Sequence, residues 1–337
     1  MIRRILAAIV LIAIAAALLV AAWPQLFGLV DAPIVAQVVS LRGVDIGIAV
    51  GLAVVIGIVA LPWRHARRFL GSVVALLLVF CLVSVAILAS RGFGGTTTAH
   101  PAASDVTVLS WNTKGDAPGA AEIAKLALAS HADIVTLPET TLITANEVNT
   151  LMTAAGHPMW VHSLHYDLVS KSKSTSMLIS TSLGAYSVDL KAGNTKVLPT
   201  VIAKPVDGKG PTIIAVHAES PRPKEMRNWR ADLSWLASQC TGANTIMAGD
   251  FNSTLDTLRP HSAKAGADFG QCTDAGFASH GGAIGTWPTN LPSLLGAQID
   301  HVMYTSAWKV RSMHVVGSLD SAGSDHRPIV VTLAPSN

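Results

Sequence analysis

The chain is short of charge. Asp, Glu, Lys and Arg make up 13% of its 337 residues, against 50% apolar, too little for an ordinary soluble protein of this length. It holds three cysteines, and no Cys or carboxylate spacing around His157, His162 and His165 supports a zinc site, so these read as surface-loop histidines. No internal repeat or heptad pattern is present, which excludes solenoids and coiled coils. Ser182, Ser220 and Ser324 lack a nucleophile-elbow context, which excludes covalent serine hydrolysis.

What is present begins with three charge-free runs, Ile5 to Val30, Ile46 to Trp63 and Phe69 to Ser90. At about 1.5 Å per residue each can cross roughly 30 Å of hydrocarbon. They predict a membrane anchor over 1–91 with spans at about 5–27, 44–63 and 69–90. A cleaved signal peptide is the alternative for the first run. That run is longer than an h-region, however, and two more follow it. Arg3 and Arg4 precede the first run, and Arg64, His65, Arg67 and Arg68 fill the loop before the third. The positive-inside rule then puts the N-terminus in the cytoplasm and everything after Arg91 outside it.

The charge divides with the chain. Residues 1–98 hold seven arginines and two aspartates, a net of +5; the rest hold 17 Lys and Arg against 19 Asp and Glu, a net of −2. The exported part therefore has no overall basic field, which weighs against bulk nucleic acid as a partner. Cys81 falls inside the third run as an apolar filler. Cys240 and Cys272 fall in the exported part, where a disulfide persists, and are expected to pair.

A Gly-, Thr- and Pro-containing stretch at 92–104 reads as a flexible linker, and 105–337 as one α/β domain. Strands are predicted at Val106 to Trp111, Ile134 to Pro138, Ser176 to Ser180, Val197 to Ala203, Thr212 to His217, Thr245 to Ala248, Ile299 to Tyr304 and Ile329 to Leu333. Helices are predicted from Pro118 to Ser130, capped by Asp116, over Ala145 to Ala155, and from Pro223 to Ser238. The last has Met226, Trp229, Leu233 and Leu236 on one face.

Polar residues stand at the strand ends: Asn112, Glu139, His217, Asp250 with Asn252, Asp300, and Asp325 with His326. Singly, each has a structural explanation. Asp-Phe-Asn makes turns, Glu139 can cap the next helix, and His217 can be a bonded core histidine. Together they are the mixture phosphate-ester hydrolysis needs. A hard cation takes oxygen ligands, a base prepares water, and donors meet the transition-state charge.

The ordered set Ser-Trp-Asn112, Leu-Pro-Glu139-Thr, His217-Ala-Glu-Ser, Gly-Asp250-Phe-Asn252, Ile-Asp300-His and Ser-Asp325-His326 resembles the endonuclease/exonuclease/phosphatase superfamily over Val106 to Leu333. The resemblance implies a four-layer α/β sandwich, two packed β-sheets flanked by helices, following the transmembrane helices. It implies Mg²⁺, with Mn²⁺ possible in its place, bound by Glu139 with Asn112 and Asp325. Asp250 positions or deprotonates water, Asn252 and His217 donate to phosphate oxygens, and Asp300 orients His326. Whether Asp250 or the Asp300–His326 pair is the base stays open. The Gln that often precedes the metal Glu is absent here, and no basic insertion for gripping a duplex is evident. Arg222 and Trp287 are candidate substrate contacts, although the solvated face of a helix explains Arg222 better and a packed loop explains Trp287 equally well.

The expected function is a membrane-anchored, extracytoplasmic, metal-dependent phosphoesterase. Its partners would be the cytoplasmic membrane and a phosphate ester, lipid-linked or envelope-derived. A tethered nuclease and a catalytically silent phosphate-binding module are the alternatives.

Overall fold

The computed structural model describes residues 1–94 and 102–336. Contacts divide the chain into two compact units, Met1–Ser90 and Arg91–Asn337. Most of the expected linker, residues 95–101, lies outside the described residues.

The first unit carries helices α1 (Ile2–Ala22), α2 (Val35–Ser40), α3 (Arg42–Ala60) and α4 (Arg67–Arg91). Three of them, α1, α3 and α4, are long and apolar enough to cross a membrane. Leu18 and Ala22 of α1, Ala49 and Ala53 of α3, and Val73, Leu77 and Phe80 of α4 pack together. Alanines at the contact let the backbones approach closely. The first span is shorter than its apolar run. The helix ends at Ala22 and a 3₁₀ turn starts at Pro24, because proline lacks the N–H that would continue the ladder.

The second unit holds β1 (Val106–Ser110), α5 (Gly119–Ala129), β2 (Ile134–Pro138), α6 (Leu142–Ala154), β3 (Met159–His165), β4 (Ser174–Ser180), β5 (Tyr186–Val188), β6 (Val201–Pro205), β7 (Thr212–His217), α7 (Met226–Gln239), β8 (Thr245–Asp250), α8 (Leu255–Leu258), β9 (Thr273–Asp274), α9 (Ala275–Ala278), β10 (Asp300–Tyr304), β11 (Trp308–Val315) and β12 (Ile329–Pro335). Two six-stranded sheets form, ordered β11-β12-β1-β2-β4-β3 and β5-β6-β7-β8-β10-β9. Both are mixed: β1 runs parallel to β2 and β7 to β8, and the other pairs are antiparallel.

Strand alternation builds the layers. Val106, Val108, Ile134, Met177 and Ile179 of the first sheet meet Val201, Ile213, Ala215, Ile246 and Val302 of the second. The intervening Leu109, Val135, Leu137 and Leu178 point the other way, onto Ile123 and Ala127 of α5 and Val148 and Met152 of α6. α7 buries Met226, Trp229, Leu233 and Leu236, the face expected from their spacing. This is the predicted sandwich of two packed sheets flanked by helices.

Four strands escape the sequence pattern. β3 falls where His162 and His165 read as loop; β5, β9 and β11 were likewise missed. β3, β5 and β11 are edge strands, and half-exposed polar residues blunt them against pairing with other chains. β6 starts at Val201 rather than Val197, since Pro199 cannot donate to a ladder. Asp116 does not cap α5, whose N-cap is Pro118. Its carboxylate instead accepts from Thr141 N and Oγ1, both at 2.9 Å.

Candidate active site

The two parallel pairs aim the C-terminal ends of β1, β2, β7 and β8 at one edge of the sandwich. Asn112 follows β1, Glu139 follows β2, His217 ends β7 and Asp250 ends β8. The antiparallel partners bring the rest. Asp300 opens β10 directly opposite Asp250, and His326 precedes β12, whose Ile329 pairs with Ser110.

The side chains converge. Asn112 Nδ2 donates to Glu139 Oε1 at 3.2 Å and to Asp250 Oδ2 at 3.0 Å. His217 Nε2 lies 4.0 Å from Glu139 Oε1. His326 Nδ1 bonds Asp300 Oδ2 at 2.9 Å, and its Nε2 lies 3.8 Å from Asp250 Oδ2. Asp325 is at the rim, taking Trp287 Nε1 at 3.2 Å and Lys114 Nζ at 3.6 Å. Trp287, Asp325 and Lys114 line a cleft of about 640 Å³ beside these groups.

The backbone is bent to achieve this. Glu139 and Asn252 are left-handed, with φ of 57° and 47°, a conformation costing a non-glycine residue roughly 1 kcal/mol or more. Gly249 is required where it stands. Its φ is 149° and a Cβ there would strike the Val216 carbonyl of the neighbouring strand.

Burial sets the electrostatics. Asp250, Asp300, His217 and His326 are all buried. Burial pushes the Asp250 carboxyl well above its usual range; nearby Asp300 adds to this, while His326 opposes it. Burial works against charge on His326, yet the Asp300 and Asp250 carboxylates outweigh it and raise its pKa. The proton of this cluster therefore sits on the imidazole. His217 is driven down to about 3, by burial first and then by His326. It is neutral at physiological pH. The Thr175 hydroxyl 3.3 Å from Nδ1 can donate there, which leaves Nε2 as the N–H facing Glu139.

Asn252 takes a different place from the one its motif suggests. Its Nδ2 donates to Ala218 O at 2.9 Å and Asp250 Oδ2 at 3.2 Å, and its backbone N–H to Asp250 Oδ1 at 2.8 Å. In this arrangement it holds the Asp250 carboxylate. Arg222 ion-pairs with buried Glu219 at 2.8 Å while staying largely exposed. Cys240 and Cys272 are joined in a disulfide with Cα atoms 5.9 Å apart.

The donor set fits a hard cation. Glu139 and Asp325 supply carboxylate oxygens and no soft ligand is among them, while Asn112 turns its Nδ2 to Glu139 and its Oδ1 accepts from the Lys114 N–H at 3.0 Å. Burial raises the Glu139 pKa, and neighbouring Asp325 raises it further against the pull of Asn112 and His326. Such an anionic pair is what a divalent ion would neutralise. A tighter buried group, Asp250, Asp300 and His326, has ligand atoms within 4.8 Å of one another, but His326 already occupies the space between its carboxylates.

Sequence reasoning missed the residues that brace the site. Ser324 Oγ donates to Asn112 O at 2.6 Å and accepts from His326 N at 3.0 Å. Trp111 Nε1 donates to His326 O at 2.9 Å. Both stand inside the quoted motifs, so the signal was present as a neighbour of each functional residue. Thr175 and Lys114 carried none.

Residues 109–326 match the family model described as Endonuclease/Exonuclease/phosphatase family. Among solved structures, humanized D. rerio TDP2 is 17% identical with a TM-score of 0.53, covering 68% of this chain and 99% of that one. D. rerio TDP2 complexed with single strand DNA product is 19% identical at 0.53, with coverage of 68% and 99%. An endonuclease/exonuclease/phosphatase from Beutenbergia cavernae DSM 12333 is 19% identical at 0.51, with coverage of 69% and 72%. At these identities the likeness is one of fold. Comparison with curated proteins finds no match in sequence.

Proposed function

The chain belongs to the endonuclease/exonuclease/phosphatase family, and from that premise we propose that it is a membrane-anchored, Mg²⁺-dependent phosphoesterase acting outside the cytoplasm. The observation that carries the reading is the meeting of Asn112, Glu139, His217, Asp250, Asp300 and His326, from both sheets, on one edge.

Glu139 and Asp325 would hold the ion, with Asn112 contributing through a water, and the ion when bound neutralises the phosphate and polarises its oxygens. Asp250, fixed by Asn112 and Asn252, orients a water and takes its proton. Its raised pKa suits a base working near neutrality. The water oxygen bonds to phosphorus as the ester P–O bond breaks, and the leaving alkoxide takes a proton from solvent to depart as the alcohol while Asp250 returns the proton it accepted to solvent. His326, held protonated by Asp300, and the His217 Nε2–H meet the charge that builds on the phosphoryl oxygens. No covalent enzyme intermediate is required.

The location rests on charge placement. Arg3, Arg4, Arg64, Arg67 and Arg68 lie on the side of α1, α3 and α4 that the positive-inside rule assigns to the cytoplasm. An odd number of crossings then exports the catalytic unit, and the Cys240–Cys272 disulfide suits an oxidising compartment. The catalytic unit's net charge of −2 after residue 98 favours a lipid-linked or envelope phosphate ester over bulk nucleic acid.

The test is a panel of phosphate mono- and diesters, with plasmid DNA among them, assayed with Mg²⁺ and with EDTA. EDTA-sensitive hydrolysis that Asp250→Asn and His326→Ala each reduce by at least a hundredfold is expected. Turnover untouched by either variant sinks the role assignment, and steeply salt-dependent plasmid cleavage as the dominant activity would make it a nuclease.

A further inference from the structure

The catalytic edge is also the greasiest part of the second unit. Among its described residues the four most exposed large apolar side chains are Val169 at 91%, Leu168 at 87%, and Ile143 and Leu190 at 73% each. All four sit at one end of the sandwich. Strand pairing shows why. Pro138, just before Glu139, pairs with Thr175, and Ser174 pairs with His165, so the β3–β4 connection leaves the sheet beside Glu139. β6 runs antiparallel to β7, with Val201 opposite Ala215, so the β5–β6 connection leaves beside His217. Ile143 is in the first turn of α6, directly after Glu139.

These segments are fastened together. Tyr166 Oη donates to Thr195 O at 2.7 Å, tying the two connections. Lys171 Nζ reaches Asp116 at 3.3 Å, which anchors the β3–β4 loop to the turn behind Asn112. The aliphatic tips are therefore presented by the fold.

Charge beside the tips is mixed. Asp189 pairs with Lys204 and Asp116 with Lys171, Asp167 accepts from the Val169 and Ser170 N–H groups, and Glu147 stands exposed one turn along α6 from Ile143. Lys173 and Lys191 stand next to the apolar tips.

We propose that this rim binds the surface of an anionic bilayer, with Leu168, Val169, Leu190 and Ile143 entering the interface and Lys173 and Lys191 meeting headgroups. The chain carries three helices able to cross a membrane, so a bilayer is always within reach. Amphipathic surfaces of this kind combine apolar burial with attraction of lysines to anionic lipid. The inference rests on the phosphoesterase reading for its substrate: a phosphate ester standing in the lipid surface.

The test uses the full chain, in a Cys81→Ser background, in nanodiscs of phosphatidylcholine with phosphatidylglycerol. A nitroxide is placed at Val169→Cys or at Val206→Cys, the latter on the opposite edge just past Pro205 and 66% exposed. Expected is a Val169 label more accessible to oxygen than to a nickel chelate, with the reverse at Val206. Omitting phosphatidylglycerol should reduce that difference severalfold. Equal, water-like accessibility at both labels overturns the proposal, as does spin–spin broadening at Val169, which would mean that a second copy covers the rim. A Leu168→Asp, Leu190→Asp variant carrying the Val169→Cys label should hydrolyse soluble bis(4-nitrophenyl) phosphate within twofold of the labelled parent while its label becomes water-like in accessibility. Absence of hydrolysis in the parent would count against the phosphoesterase reading alone, since label depth is read without turnover.

Discussion

Replacing Glu139 with Gln separates metal binding from stability. Gln keeps the length and the left-handed backbone of Glu139 and removes only the charge. The carboxylate is disfavoured by burial and by Asp325 when no ion is present, so the metal-free variant should melt at or above the parent temperature at pH 8. Mg²⁺ at a hundredfold over its Kd stabilises the parent by about 2.7 kcal/mol. For a unit of this size that is about 5–11 °C, at 2–4 °C per kcal/mol. In Glu139→Gln the shift should fall below about 1–2 °C if Glu139 is the principal anionic ligand, as proposed. Differential scanning calorimetry in EDTA and in saturating Mg²⁺ reads both numbers. A variant that keeps the full Mg²⁺ shift, or that is strongly destabilised in EDTA, would show that Glu139 is a structural carboxylate and that the ion site has been assigned wrongly.

Asp300→Asn should lower kcat by roughly 10²–10⁴ and move the alkaline limb of the kcat profile to lower pH, since Asp300 helps to raise the His326 pKa; an unmoved limb would reduce Asp300 to packing. His217 is neutral when folded, its pKa depressed to about 3 against about 6.5 unfolded. The stability of the metal-free protein should therefore fall as pH drops from 6.5 toward 3. His217→Gln should make the slope of unfolding free energy shallower by up to about 1.4 kcal/mol per pH unit, and an unchanged slope contradicts the burial argument. Reducing the Cys240–Cys272 bridge, which spans 32 residues, should cost about 3–4 kcal/mol in urea unfolding, and coincident curves with and without reductant would show that the bridge contributes nothing.

The candidate site was legible because most of its residues end or begin an apolar run. Ile134 to Pro138 can only be a buried strand, and the first polar side chain after it, Glu139, must emerge at that strand's end. The same holds for His217 after β7 and Asp250 after β8. What was not legible depends on partners far along the chain. Nothing in Asp250-Phe251-Asn252 says that Asn252 will give its amide hydrogens to Ala218 and Asp250. Thr175, which faces His217 across the two sheets, looks like any strand threonine. Edge strands such as β3 were lost for a related reason: one face and one flank meet water, so Met159 to His165 mixes His and Ser with Trp and Leu and shows no clean period.

The order of the strands has a consequence for timing. β12 is an interior strand, inserted between β11 and β1, and the turn that leads into it brings His326 to Asp300. Every other residue of the constellation leaves the ribosome earlier. A growing polypeptide thus assembles the carboxylates, the amides and His217 first and receives its second imidazole, His326, only when the closing strand slides into its slot. The His326–Asp300 pair of the candidate site is therefore made by the completion of the sheet itself.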